Sequence, residues 1–134
     1  MSDVVVDTDV ASFLFKRDSR ARLYRPHLVG KILYISFMNL AELERWAVSA
    51  RWGAAKLAQL DHYLQRFNVV LVDRTLCRRW AEVMDAADAT GQPVGVADAW
   101  IAATALALNC PLVTHNATDF QGVPSLSIIT EPGS

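Results

Sequence analysis

Four acidic motifs, spread along the whole chain, contain the residue types that could do chemistry. They are Asp7 in VVVDTDV, Glu42 in NLAELERW, Asp98 in VADAWIAATAL and Asp119 in VTHNATDF. Asn116, in the same motif as Asp119, adds a neutral oxygen donor. Hard divalent cations such as Mg²⁺ and Mn²⁺ take oxygen ligands, and carboxylates supply those ligands together with charge. The motifs therefore predict a divalent-cation site, provided that the fold brings them together.

Asp7 directly follows an apolar run, residues 4–6, that is typical of a buried strand. Sites in parallel α/β folds form outside the carboxyl ends of the strands, so this position favours a functional role for Asp7. Thr8 or Asp9 is expected to cap the helix that follows, and Asp7 lies one residue too early for that cap. We interpret Asp9 either as a cap or as a residue that supports the site.

Glu42 has both a structural and a functional interpretation. Asn39 could be the N-cap of a helix with Glu42 at its third position, a variant of the capping box in which the carboxylate also complements the helix dipole. Glu42 could instead face the cation. Glu44 is the competing acid, but it lies two residues further on, about 200° around the helix. Spacing alone leaves both interpretations of Glu42 open.

The remaining candidates also have structural alternatives. Asp98 stands at the start of a helix and could cap it. Asp119 could form an Asx turn, with Phe120 as a hydrophobic plug. Asn116 could reach a metal directly or through water. His115 is interpreted as a solvent or substrate contact rather than as a general base.

The apolar segments predict strands that alternate with helices. Strands are expected at residues 4–6, 32–36, 69–72, 112–114 and 127–130. Helices are expected at residues 8–15, 19–29, 40–50, 54–67, 75–89 and 97–108. Uniformly apolar strands in this alternation indicate a parallel sheet that is covered on both faces. The prediction is a three-layer α/β/α sandwich with a mainly parallel sheet, whose edge gathers the four acids.

The length and the charge of the chain limit its domain number and its candidate partners. The chain has 134 residues, 52% of them hydrophobic, which fits one domain over residues 1–134. Its 13 basic and 14 acidic residues nearly cancel, so net charge does not indicate a nucleic-acid partner. Six basic residues fall within residues 16–31 and form either a solvated helix face or a phosphate-facing patch.

The cysteines and the N-terminal residues bear on the cellular compartment in which the protein is expected. Cys77 and Cys110 lie among apolar neighbours without a CxxC partner, so both are expected to be buried free thiols in a reducing cytoplasm. The N-terminus has no basic region followed by an apolar run, and no apolar stretch approaches the ~20 residues that span a bilayer. A cytoplasmic protein is therefore expected.

Taken together, the motifs resemble those of the PIN-domain family. The resemblance rests on Asp7-Thr8 after an apolar strand, Ser36 six residues before Glu42-Leu43, Asp98 in DAWIAATA, and THN followed by Asp119-Phe120. Length and motif order resemble the VapC-type toxins of bacterial toxin–antitoxin pairs, over essentially the whole chain. The resemblance implies an α/β/α sandwich, an Mg²⁺- or Mn²⁺-dependent endoribonuclease, a homodimer and neutralisation by a cognate antitoxin.

The resemblance also implies roles for individual residues. Glu42 and Asp98 become site residues rather than only caps. Asp7 and Asp98 are expected to hold the metal directly, and Glu42 to hold it through water. Asp119 shares the fourth place of the set with Asn116, and one of the two orients the attacking water.

The chain departs from the family pattern at two positions. Asn39 stands where the family often has Thr, and Asn116 stands where some members carry the fourth acid. Asp119 matches the more common N-x-x-D-F ending. Trp46 and Trp52 are expected to anchor a partner such as the antitoxin, whose basic side chain would enter the acidic site.

Other classes share parts of this pattern. The sequence DTDV after a strand resembles the start of haloacid-dehalogenase-type phosphatases, and acids at strand ends are also found in receiver-type signalling domains. Both classes need a lysine late in the chain, and no lysine follows Lys56. An inactive PIN-like domain that serves only as a binding partner is the third alternative.

Overall fold

A computed structural model of the protein, which describes residues 2–132, contains one parallel β-sheet. The strands are β1 Asp3–Val6, β2 Ile32–Ser36, β3 Asn68–Val70, β4 Leu112–Val113 and β5 Ile128–Ile129. They lie in the order β3-β2-β1-β4-β5, and each neighbouring pair is parallel. The chain thus builds the sheet outward from β1 on one side, then returns to add β4 on the other.

In the part of the chain that the structure describes, six α-helices and one 3₁₀ helix connect the strands. The α-helices are α1 Thr8–Phe15, α2 Ala21–Leu28, α3 Phe37–Ser49, α4 Ala54–Leu64, α5 Arg74–Ala89 and α6 Val96–Leu108. The 3₁₀ helix is Ala117–Phe120, between β4 and β5. None of the helices within residues 2–132 is long and apolar enough to cross a membrane.

The two faces of the sheet support two separate hydrophobic cores. In the central strand β1, Val4 and Val6 point to the core formed with α1 to α4, and Val5 points to the core formed with α5 and α6. Successive side chains of a strand point to opposite faces, so a run of three buried valines requires cover on both. The predicted three-layer α/β/α sandwich with a parallel sheet is confirmed.

Two helix boundaries differ from the expected ones by three residues: α4 ends at Leu64 instead of 67, and α3 starts earlier than expected. Helix α3 begins at Phe37, three residues before the expected position, because Ser36 caps it. The Ser36 hydroxyl oxygen accepts from the Asn39 N–H at 3.0 Å, and Asn39 Oδ1 accepts from the Ser36 N–H at 2.9 Å. This capping box joins β2 to α3 without an intervening loop. Asn39 is therefore the third helical residue and not the N-cap.

The expectation that both cysteines are buried is wrong for Cys77. Cys77 is exposed on α5, since this helix turns Leu76, Val83 and Ala87 toward the core. Cys110 is half-buried, and its burial raises the pKa of the thiol to about 11. Both thiols are free.

The strand order places a crevice beside β1. Connections from β1 lead toward β2, whereas β4 arrives from the opposite direction, so the order reverses between β1 and β4. In open parallel sheets, ligands bind outside the carboxyl ends of the strands at such a reversal. Asp7 follows β1 and Thr114 follows β4, so both residues stand at this point.

Gly122 packs against the backbone of the loop that precedes α6. A Cβ at Gly122 would lie 1.8 Å from the carbonyl oxygen of Gln92, whereas a Cβ at Gly53 meets nothing within 4 Å. We expect Gly122→Ala to lower the free energy of unfolding by about 2 kcal/mol or more, as an overpacked site does. Gly53→Ala should cost less than about 1 kcal/mol, the loss of a better N-cap residue. Urea denaturation of both variants measures the contrast, and equal losses would contradict it.

Candidate active site

Asp7 lies at the carboxyl end of β1, where its carboxylate is buried and held by hydrogen bonds. The Thr8 N–H donates to Oδ1 at 2.8 Å, and the Thr114 hydroxyl donates to Oδ2 at 2.7 Å. Asp7 is only 7% exposed. It is also the N-cap of α1, so the prediction that Thr8 or Asp9 caps this helix is wrong. One carboxylate therefore both starts α1 and belongs to the candidate site.

Asp9 supports the neighbouring backbone. Its Oδ1 accepts from the Val10 N–H at 2.7 Å, and its Oδ2 accepts from the His115 N–H at 3.0 Å. The second bond ties α1 to the segment after β4 that carries Asn116 and Asp119. Of the two interpretations of Asp9, the supporting role agrees with these contacts.

Glu42 lies in the second turn of α3, where it accepts a short hydrogen bond. The Thr8 hydroxyl donates to Glu42 Oε1 at 2.6 Å. The capping interpretation of Glu42 is wrong, because the capping box of α3 consists of Ser36 and Asn39. Glu44 is exposed two residues further on.

Asn39 connects the two carboxylates, a role that the sequence analysis missed. Its side chain is fully buried, and Nδ2 donates to the Thr8 hydroxyl oxygen at 2.9 Å and to Asp7 Oδ1 at 3.3 Å. Its Oδ1 accepts from Ser36. The signal was available, since Asn39 precedes Glu42 by three residues and so shares its helix face.

Asp98 is the third residue of α6 and is half-buried. Gly95 is the N-cap of this helix, and no side chain caps it, so the capping interpretation of Asp98 is wrong as well. The pKa of Asp98 rises to about 6 because of burial and then because of the negative charges of Asp119 and Glu42. This effect shows that the three carboxylates interact across the site.

Asn116 and Asp119 lie on the segment between β4 and β5. Both are exposed, and the Asn116 N–H donates at 3.1 Å to the Thr114 hydroxyl, the group that also binds Asp7. Phe120 is 1% exposed, so the predicted hydrophobic plug is confirmed. The plug fixes the 3₁₀ helix that presents Asp119.

These side chains meet in one open cleft of about 500 Å³ at the carboxyl edge of the sheet. The residues that line it are Asp7, Thr8, Asp9, Glu42, Arg45, Trp46, Ser49, Asp98, Asn116 and Asp119. All five candidates predicted from the sequence are among them. Arg45 and Ser49 were not predicted, although both recur at helical spacing after Glu42.

The electrostatics of the cleft are dominated by like charges. Burial, followed by the nearby charge of Asp9, raises the pKa of Asp7 to about 7, against the opposing hydrogen bonds from Thr114 and Thr8. The pKa of Asp9 is also raised, first by burial. Three carboxyl groups in one cleft thus hold their protons more tightly than free carboxyl groups do, which is the state that a cation would relieve.

His115 does not line the cleft, although the residue is half-buried and keeps part of its surface in contact with solvent. Its Nδ1 shares a hydrogen bond with the buried Tyr24 hydroxyl. The ring also packs edge-on against Phe13, with centroids 5.4 Å apart. These contacts, together with the N–H bond to Asp9, make His115 an anchor for the segment that carries Asn116.

Comparison with known proteins identifies the family. The profile of the PIN domain matches residues 4–126. The chain belongs to the PIN-domain family. Its similar curated proteins include ribonuclease VapC1 of Haemophilus influenzae strain R2866, 28% identical over 91% of this chain and 92% of the relative. Ribonuclease VapC4 of Mycobacterium tuberculosis is 30% identical over 72% of this chain and 75% of the relative. The VapC-type PIN-domain resemblance is confirmed.

Solved structures share this PIN-domain fold. VapBC2 from Rickettsia felis, bound to a DNA fragment of its promoter, superposes with a TM-score of 0.83 at 22% identity, covering 97% of this chain and 99% of that one. VapBC-1 from nontypeable Haemophilus influenzae gives 0.80 at 25% identity, covering 96% and 97%. The similarity extends over nearly the full length of each chain.

The PIN-domain cleft fits a hydrated divalent cation better than a fully protein-bound one. Within residues 2–132, no group of three His, Cys, Asp or Glu side chains is arranged to enclose a metal ion. Mg²⁺ usually keeps several waters and binds through one or two carboxylates, which an open cleft with oxygen-bearing side chains allows. The raised pKa values of Asp7 and Asp98 reflect the cost of ionising carboxyl groups that are withdrawn from solvent beside other acids, and a cation in the cleft would offset that cost.

The acidic cleft should make the PIN domain less stable as the pH rises. The unfolded chain ionises near pKa 3.8, whereas Asp98 keeps its proton to about 6 and Asp7 to about 7 in the folded state. The free energy of unfolding should therefore fall between about pH 4 and pH 7. The variant Asp98→Asn removes one of the repelling carboxylates. In EDTA its melting temperature should therefore exceed that of wild type at pH 8, and the difference should be smaller at pH 5.

A matched control is Asp61→Asn, at an exposed acid on α4 outside the cleft, which should melt like wild type at both pH values. Addition of Mg²⁺ at pH 8 should raise the melting temperature of wild type more than that of Asp98→Asn. A lower melting temperature for Asp98→Asn at pH 8 would contradict the repulsion argument.

Proposed function

We propose that this PIN domain is a single-domain, Mg²⁺- or Mn²⁺-dependent endoribonuclease that acts in the cytoplasm as the toxin of a type II toxin–antitoxin pair. The observation that carries the proposal is the gathering of oxygen-bearing side chains from four separate parts of the chain in one open cleft. Curated relatives over 91% of the chain are named ribonucleases. A carboxylate cluster without a histidine base suits metal-assisted hydrolysis of a phosphodiester.

Each acidic residue has a distinct role in this proposal. Asp7 and Asp98 would hold the cation directly, because both are withdrawn from solvent beside other acids and a cation would offset the cost of their charge. Glu42, whose carboxylate is oriented by the Thr8 hydroxyl, would hold it through water. A divalent cation bound there supplies Lewis-acid stabilisation of the charge that develops on the phosphate and acidifies the attacking water.

The two exposed residues of the β4–β5 segment position the nucleophile. Asp119 and Asn116 line the same cleft as Glu42, and either side chain can accept a hydrogen bond from the attacking water. Asp119 also completes the metal set through its charge, which acts on Asp98. The buried hydrogen bonds of Thr114 hold this segment against Asp7.

The competing classes have less support. A haloacid-dehalogenase-type phosphatase and a receiver domain each require a late lysine, and none follows Lys56. The matching profile and the named relatives belong to PIN domains. An inactive PIN domain remains the alternative that an activity measurement must decide.

The comparison of Glu42→Gln with Glu44→Gln tests the nuclease proposal. With single-stranded RNA and Mg²⁺ or Mn²⁺, wild type should cleave, and EDTA should abolish cleavage. Glu42→Gln should lose about 10- to 100-fold in rate, the usual cost of removing a group that holds a metal through water. Gln can still accept from Thr8, and the cap of α3 lies elsewhere, so folding should be unchanged.

Glu44→Gln is the matched control, because this acid is exposed about 200° away on the same helix. It should cleave at the wild-type rate. Cleavage that survives EDTA in metal-free buffer would overturn the metal dependence. Equal rates for the two variants would remove Glu42 from the site, and no cleavage by folded wild type would favour the inactive alternative.

An antitoxin partner is supported by the solved neighbours and by the charge of the cleft. Two of the solved neighbours are a toxin–antitoxin complex from Klebsiella pneumoniae and VapBC-5 from Mycobacterium tuberculosis, a member of a family of toxin–antitoxin systems. Five acidic side chains line the cleft, so an Arg or Lys of a partner would find counter-charges there. A homodimer is also proposed, since Leu71, Val72 and Val96 are large apolar residues exposed to solvent.

Expression in a bacterial host tests the toxin assignment. The chain alone should arrest growth, and co-expression of the small gene beside its own should restore growth. Asp98→Asn should be harmless in the same vector at the same protein level. Undisturbed growth with active, metal-dependent enzyme would leave the nuclease in place and remove the toxin assignment.

A further inference from the structure

Helix α3 places one basic residue in a cleft that is otherwise acidic. Among the cleft residues within positions 2–132, five are acids and Arg45 is the only base. Arg45 is exposed and makes no ion pair within 4.0 Å among those positions, whereas Arg20 and Arg79 both pair with acids. A guanidinium that remains unpaired beside several carboxylates is available for an anion from outside the chain.

Arg45 belongs to a strip on one face of α3. Glu42, Arg45, Trp46 and Ser49 follow the spacing i, i+3, i+4, i+7, and all four line the cleft. Arg45 is one turn, about 5 Å along the axis, beyond Glu42. A chain that passes Glu42 at the proposed site would therefore meet the guanidinium and the indole next.

Trp46 is held rigidly, with part of its surface in the cleft. Its ring packs against Trp52 with centroids 4.7 Å apart and against Phe15 at 6.0 Å. Trp52 belongs to the same aromatic cluster but does not line the cleft. A rigid aromatic face beside an unpaired arginine is the combination with which proteins bind single-stranded nucleic acid, through stacking and a phosphate contact.

The basic stretch at residues 16–31 does not supply this contact. None of its residues lines the cleft, and Arg20 forms a bidentate pair with Asp18, with bonds of 2.9 Å. Arg45 is thus the positive group nearest to the proposed reaction along α3.

We propose that Arg45 and Trp46 form a nucleotide subsite that binds the RNA beside the scissile bond. Arg45 binds one phosphate that flanks the scissile phosphate, and Trp46 stacks on the base of that nucleotide. The inference rests on the proposed ribonuclease function and assigns substrate selection to α3. The subsite gives an RNA strand one favourable phosphate contact in a cleft that is otherwise lined by acids.

A substrate–protein double cycle tests the phosphate contact. The probe is a short single-stranded oligoribonucleotide with a mapped wild-type cut site. A series of modified oligoribonucleotides is made, and each one replaces a single linkage beside the cut site with a neutral methylphosphonate next to a 2′-O-methyl sugar. The parent oligoribonucleotide for each comparison carries the same 2′-O-methyl sugar with a normal phosphate. Arg45→Ala should lower kcat/KM on the parent about tenfold, mainly through KM, and reduce the salt slope by about 0.7.

The decisive result is coupling at one position. At the contacted linkage, the methylphosphonate should cost wild type about tenfold and cost Arg45→Ala almost nothing further. Arg45→Lys should retain part of the effect, and Arg78→Ala, an exposed arginine on α5, should behave as wild type throughout. If the loss from Arg45→Ala and the loss from the methylphosphonate multiply at every linkage, the specific contact is overturned. Arg45 would then act only through its general positive charge.

Abasic substitution tests the stacking. Removal of the base beside the coupled phosphate should slow wild type about tenfold. The penalty should be smaller for Trp46→Phe and smallest for Trp46→Leu, while Trp52→Leu keeps the wild-type penalty. Equal penalties in wild type and in the folded variants Trp46→Phe and Trp46→Leu would overturn the stacking. Failure of wild type to cleave the parent RNA would instead overturn the ribonuclease function itself.

Discussion

The structure depends on keeping a buried carboxylate at the end of its central strand. Asp7 is 7% exposed and lies near other acids, so both burial and repulsion oppose its charge. Three groups from three parts of the chain offset this cost: the Thr8 N–H, the Thr114 hydroxyl and the Asn39 amide. Their bonds also fix α1, β4 and α3 relative to one another. The arrangement of the cleft is thus a consequence of satisfying one carboxylate.

Asn39 shows how a departure from the common family residue can be accommodated. Its amide oxygen accepts from Ser36, which closes the cap of α3, and its amide nitrogen donates to Thr8 and Asp7. One side chain therefore couples the start of the helix to the orientation of Glu42, through the Thr8 hydroxyl. Asn can do both because it carries an acceptor and two donors, whereas Thr has only one hydroxyl. The buried network leaves no buried side-chain polar atom unpartnered within residues 2–132.

The sequence was sufficient for the strands and for the gathering of the five site candidates, since buried β-branched runs and strand-end acids follow from local pattern and from general rules for parallel sheets. It was insufficient for the caps. The N-caps of α1, α3 and α6 are Asp7, Ser36 and Gly95, whereas the residues for which a capping role was considered do not cap these helices; they are Thr8, Asp9, Asn39, Glu42 and Asp98. Asp7 and Ser36 are caps because α1 and α3 begin directly at the ends of β1 and β2, and the local sequence pattern does not locate such a direct join. The bond that anchors the His115 ring was not predicted either, because its partner Tyr24 lies 91 residues away in the sequence.

The bond between Thr114 and Asp7 spans 107 residues of chain. Strand β1 is made before β4 and before the segment that carries Asn116 and Asp119. Because this bond joins residues that are far apart in sequence, it forms only after all the helices between them have been made. The cleft can therefore be completed only once β4 is present, and a polypeptide that stops before β4 lacks both the hydroxyl that holds Asp7 and the oxygen ligands of the β4–β5 segment.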